Sequence, residues 1–181
     1  MPDMTPTSSR SEFLEELSAA FSGVRRDPEI SLHQAQLVGQ ALSQPAAGAE
    51  WAAAGRRDGE TAWFDVPSAS LDECDGSLCH LSAEGWRFYI PAYMRRSLER
   101  FSAPQFEAGL LHAVLFHLTY RHEFHRETFG CLTPAQRVAI KHFLQLIERE
   151  ALDLLADRNQ GWEIYGEVQA ALQSFWVSEP G

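Results

Sequence analysis

Little in this chain is shaped for chemistry. Its three cysteines, an odd number, make no disulfide framework. Lysine is almost missing: Lys141 stands alone beside 14 arginines. The formal net charge is −10, so the concentrated basic surface that a nucleic-acid backbone demands is not expected, and neither is that class of partner. No stretch approaches the ~20 apolar residues of a membrane span. Residues 1–10 lack the apolar run of a signal peptide, and a reducing cytoplasm is the expected compartment. Serine-hydrolase elbows, phosphate-binding loops and dinucleotide fingerprints are missing too, and no cofactor is implied. These absences remove the easy catalytic readings without excluding an enzyme.

What remains is the material of a core. Hydrophobic residues make up 45% and aromatics 11% of 181 residues, enough for one domain that buries roughly two-thirds of its unfolded surface. Residues 1–10 read as a disordered N-terminus and 11–178 as a single domain. Helix signals recur along it. Ser9 with Glu12 and Ser31 with Gln34 have capping-box spacing. Phe13, Leu14, Leu17 and Phe21 form an apolar stripe that ends at Gly23. An alanine-rich helix is expected around 46–54, and one short helix near 68–74. Thr133-Pro134 with Gln136 combines a cap, a first-position proline and a capping-box glutamine. Two packed helices are expected over 133–176, joined at Asn159-Gln160-Gly161. Residues 106–120 are ambiguous, since Leu110, Leu111, Val114, Leu115 and Leu118 fit a helix whereas 114–120 alternates as a strand would. The fold class is therefore mainly α, a single-domain multi-helix bundle with room for a small strand pair around 78–81 and 114–120.

Residues 81–94 are the most informative segment. Trp86, Phe88, Tyr89 and Tyr93 surround Pro91. Four large rings so close together cannot all face water without a large apolar patch, so Trp86 and Tyr89 are expected in the core. Ser82 can cap a helix start, and Pro91 disfavours helix at Ile90 while suiting the first turn of a new one. A bend at Ile90-Pro91 between two helices is predicted. The segment resembles a bacterial family catalogued only as a domain of unknown function, with the core L-[DS]-x-E-G-[FW]-R-F-Y-x-P-A-[YF], here at residues 81–93. The flanking motifs of that family resemble Ser31-Leu32-His33-Gln34-Ala35 and the stretch from Leu132 to Ala139. The resemblance covers roughly residues 11–150, departing between Gly39 and Arg57. It implies a fold relationship and carries no activity, cofactor or site residues.

Candidate sites are few. His112, His117, His122 and His125, with Glu123 and Glu127, are ordinary metal-ligand types. His112 and His117 point ~140° apart on a helix, so they cannot share an ion. Only His122 and His125 have a joint-ligation spacing, with Glu123 the candidate carboxylate beside them, and the HExxH pattern is missing. Cys74, Cys79 and His80 lie outside the usual zinc-knuckle spacing. Cys131 precedes the capped helix at Thr133, where the dipole would lower its thiol pKa, though a structural thiol is the plainer reading. Arg87, Arg95, Arg96 and Arg100, offset only by Glu84 and Glu99 between residues 82 and 101, reverse the local sign of charge. With Tyr93 they have the composition of a protein-docking surface, or of the wet face of a helix.

The reading that follows is a non-catalytic intracellular bacterial protein that binds another protein, in an accessory, regulatory or toxin-neutralising role. The rival is a small metal-dependent hydrolase using the histidine region 112–125.

Overall fold

A computed structural model describes residues 9–40, 48–101, 108–119, 123–158 and 162–174, with the side chains of 123, 124, 155–158 and 174 left aside. Among the described residues the elements are nine α-helices and two short 3-10 turns, with no strand. The helices are α1 (Arg10–Ala20), α2 (Leu32–Gln40), α3 (Gly48–Arg57), α4 (Ser68–Glu73), α5 (Ala83–Phe101), α6 (Gly109–Leu118), α7 (Glu123–Gly130), α8 (Pro134–Arg158) and α9 (Trp162–Ser174). The 3-10 turns are Trp63–Asp65 and Ser77–His80.

Local chemistry starts several of these helices. Ser9 and Glu12 form a complete capping box on α1, and Thr133 and Gln136 form another on α8, with N–H to side-chain oxygen distances of 3.0 and 3.3 Å. Past α1, Gly23 takes φ 72°, a left-handed conformation that glycine adopts without a Cβ penalty. The stripe of α1 buries Phe13, Leu17 and Phe21, while Leu14 stays 37% exposed. That stripe packs on α8, where the Phe13 and Phe143 rings lie 5.9 Å apart and Glu16 faces His142 at 2.8 Å. α8 and α9 pack as the expected pair, with Gln169 donating to Glu148. Their junction at 159–161 lies outside the described residues.

The expected strand pair is overturned. Residues 77–80 form a 3-10 turn, and 109–118 form α6. Leu110, Leu111, Val114, Leu115 and Leu118 are all buried, and only a helix puts those spacings on one face. The alternation that suggested a strand is too short to compete with that stripe.

The division into two helices at Pro91 is also overturned: α5 runs unbroken through it for 19 residues. A proline inside a helix costs ~3 kcal/mol or more, because it cannot donate to the carbonyl one turn back and its ring crowds that carbonyl. Burial outweighs this. Every residue from Phe88 to Met94 is buried, and each large apolar side chain contributes ~1.5–3 kcal/mol. A helix buried on all sides is a central helix; α5 packs against α4, α6, α7 and both 3-10 turns. Trp86 and Tyr89 are fully buried, as the segment's aromatic density predicts.

Candidate functional site

The arginines expected to form one basic patch divide into two settings. Arg87 lies apart, its Nε donating to Gln136 on α8 at 3.0 Å. Arg95, Arg96 and Arg100 share one end of α5, and the acid that meets them comes from α4. Arg96 grips Asp72 with Nε at 3.0 Å and Nη2 at 2.6 Å, and Arg100 Nη1 reaches the same carboxylate at 2.8 Å. Hydrogen bonding from Arg96, reinforced by Arg100, holds the Asp72 carboxyl below its usual range. Glu99 adds a 3.1 Å contact to Arg96. Two carboxylates thus offset three guanidinium groups.

Arg95 serves a different purpose. Its Nη1 donates to the carbonyl of Phe64 at 2.9 Å and its Nη2 to that of Val66 at 3.5 Å. The guanidinium carbon stands 5.8 Å from the centre of the Trp63 ring, a cation–π distance. Trp63 itself is buried. The 3-10 turn is therefore fastened to α5, and the next ring along, Phe64, is held outward with 53% of its surface exposed. Phe64 meets Trp63 edge-on, with centroids 5.9 Å apart. Tyr93, included in the expected docking surface, is fully buried, and its hydroxyl donates to the Cys74 carbonyl. It belongs to the core and offers nothing to a partner.

The described histidines have separate surroundings. His112 faces Glu167 on α9 at 2.8 Å, whereas His117 is buried with its Nδ1 unpartnered. His125 is buried with its ring 5.5 Å from Phe129. His122 and the side chain of Glu123 lie outside the described residues. No group of three or more His, Cys, Asp or Glu side chains is placed to hold a metal ion among the described residues.

Burial, with His125 and His80 nearby, lowers the His117 pKa from 6.5 to about 4. Above pH 6.5 both folded and unfolded chains are neutral here, and His117 has no pH-dependent effect. As pH falls from 6.5 toward 4, the unfolded chain takes the proton and the folded chain does not. Stability is lost through that window, by about 3 kcal/mol in total. Urea unfolding at pH 7 and pH 4 should show this loss in the wild type and a loss smaller by that amount in His117→Leu. Equal pH dependence in both proteins would assign the effect elsewhere.

Two of the three thiols sit where the thiolate is disfavoured. Burial pushes Cys74 up to about 11. Burial also raises Cys131, so the expected dipole effect on it is reversed: losing water outweighs the nearby helix start.

One constellation was not legible in the residue pattern. Asp58 and His33 are a buried pair, with side chains 1% and 4% exposed. Asp58 Oδ1 lies 2.5 Å from His33 Nδ1, and Oδ2 accepts from the His33 backbone N–H at 2.8 Å. Beside it, the Leu32 N–H donates to the Tyr89 hydroxyl at 3.3 Å, and the Ser31 N–H donates to Gln34 Oε1 at 2.9 Å. The start of α2 is thus capped largely by side chains from elsewhere in the chain, and its positive dipole end favours the Asp58 carboxylate. Glu60, Arg26 and Tyr89 share this neighbourhood, and burial raises the Glu60 pKa. His33 falls within a motif of the sequence, but nothing in the spacing pairs it with Asp58.

No helix among the described residues is long and apolar enough to cross a membrane. No curated protein and no solved structure matches the chain. A family model described as Family of unknown function (DUF6714) matches residues 9–179, and so takes in the alanine-rich stretch and the last helix that the sequence resemblance left out. On that match the chain belongs to this family of unknown function.

Proposed function

We propose that this protein is a non-catalytic, cytoplasmic accessory or regulatory protein that acts by binding another protein, with Phe64 and the Arg95 end of α5 as the contact. The observation that supports this reading is the fixing of Phe64. An aromatic side chain half in water, on a backbone already fastened by Arg95 and Trp63, loses little freedom on entering a partner's pocket. Aromatic and arginine residues in such settings are the usual hot spots of interfaces. Charge contributes less than the arginine count suggests, because Asp72 and Glu99 already offset the cluster.

Phe64→Ala is the discriminating variant. Reversing Arg96 would place a new acid beside Asp72 and Glu99 and disturb the fold, whereas trimming Phe64 should change stability by no more than ~1 kcal/mol. Immobilised wild type and Phe64→Ala are exposed to extract of the native cell at physiological salt, and retained proteins are quantified. At least one protein held by the wild type should fall by about thirtyfold on the variant, the effect of a 2 kcal/mol hot spot. Identical retention on both would remove Phe64 from the interface.

A further inference from the structure

Phe64 and Asp65 both stand outside the 3-10 turn that Trp63 anchors. In such a turn, with about three residues per revolution, a buried Trp63 sends the next two side chains outward, about 120° apart. Phe64 is held through its carbonyl by Arg95. The Asp65 carboxylate makes no hydrogen bond or ion pair among the described residues. An exposed ring and an unpaired carboxylate are thus presented side by side.

The arginines nearby are already engaged. Arg95 donates to the carbonyls of Phe64 and Val66, and Arg96 and Arg100 close on Asp72. Their side chains are only 23% to 28% exposed, whereas Glu99, one turn beyond Arg95, is 46% exposed. Asp65, Asp72 and Glu99 together cancel the three arginines, and the acids are the more accessible members. Beyond this face the whole chain sets the sign, with a formal net charge of −10.

Taking Phe64 as the contact, we infer that its partner is a protein with an apolar pocket for the ring and a basic rim, where a lysine or arginine pairs with Asp65. The arginine count alone points to the opposite sign. An acidic rim, however, would set like charge against a carboxylate that has no cation of its own, which costs affinity. A basic partner is also drawn in from a distance, because the field of the whole molecule is negative. A second copy of this chain brings the same exposed acids and the same net charge to the face, so it is repelled there.

The probe is β-cyclodextrin, whose apolar cavity takes one aromatic ring, carrying a rim of ammonium groups in one form and of carboxylates in the other. Each form is titrated into the full-length ¹⁵N-labelled protein at physiological salt, and binding is read by NMR at the backbone amides of residues 63–66. The ammonium form should bind at Phe64 about tenfold more tightly than the carboxylate form. Asp65→Asn should weaken it about threefold and Asp65→Lys about tenfold, the effect of losing and then reversing one exposed pair. Binding at Trp162, 65% exposed on α9, should not respond to either Asp65 variant. Phe64→Ala should abolish binding of both forms at the turn. Equal binding of the two forms at Phe64, or indifference to both Asp65 variants, would overturn the inference. Dimerisation that Phe64→Ala abolishes would also overturn it, by seating a second copy on the face. Retention of extract proteins that ignores Phe64→Ala sinks the contact reading by itself and leaves the measured charge preference intact.

Discussion

Trp86→Ala should cost about 3–5 kcal/mol, a large fraction of the stability of a domain this size. Trp86 has no exposed surface, and its ring centre lies 5.8 Å from that of Phe129 on α7. Its indole Nε1 makes no hydrogen bond, so truncation sacrifices packing alone. The void would open between α5 and α7, and the all-buried stretch just beyond it limits how far α5 can move to fill it. Trp86→Phe, which keeps most of the ring volume, should cost less than half as much. Urea unfolding of the two variants measures both numbers. A cost under ~1 kcal/mol for the alanine variant would mean that the site collapses freely, contrary to the packing described.

Asp58→Ala is expected to be comparably severe, at about 3–5 kcal/mol, for a different reason. The carboxylate accepts from two buried donors on one residue, the His33 ring and the His33 backbone. Removing it leaves both without a partner, and each orphaned buried donor costs ~1–3 kcal/mol. Asp58→Asn retains one acceptor oxygen and should cost about half as much. Equilibrium unfolding at pH 7 again gives the answer, and a loss below ~1 kcal/mol for Asp58→Ala would show that water replaces the carboxylate.

The elements most readable in the sequence are those whose causes are local. Capping boxes at Ser9 and Thr133 are four-residue statements, and both are present as spaced. The aromatic density around Trp86 and Tyr89 could be resolved only by burial, and both are buried. The misread elements are those in which a local preference met a larger non-local term. Pro91 weakens a helix on its own, yet its neighbours bury enough apolar surface to carry α5 through it. The arginines look like a basic patch when residues 82–101 are counted alone, because Asp72 approaches from α4. His33 and Asp58 meet across 25 positions at the far edge of an alanine-rich stretch whose register no periodicity marks. Phe64 gave no signal at all: one phenylalanine beside a tryptophan reads as core until the turn that separates them is seen.

The capping of α2 has a kinetic consequence. Its first amides are satisfied by Tyr89, 57 positions onward, and by Asp58, 25 positions onward. The nine residues of α2 are too few to hold a helix alone in water. Its start must therefore wait until α5 has docked and the chain after α3 has closed over it. The folding order expected from these contacts puts the central helix and its partners first and α2 among the last to lock. Local opening should run the same path in reverse, making the α2 junction the first part of the core to loosen while α5 stays in place.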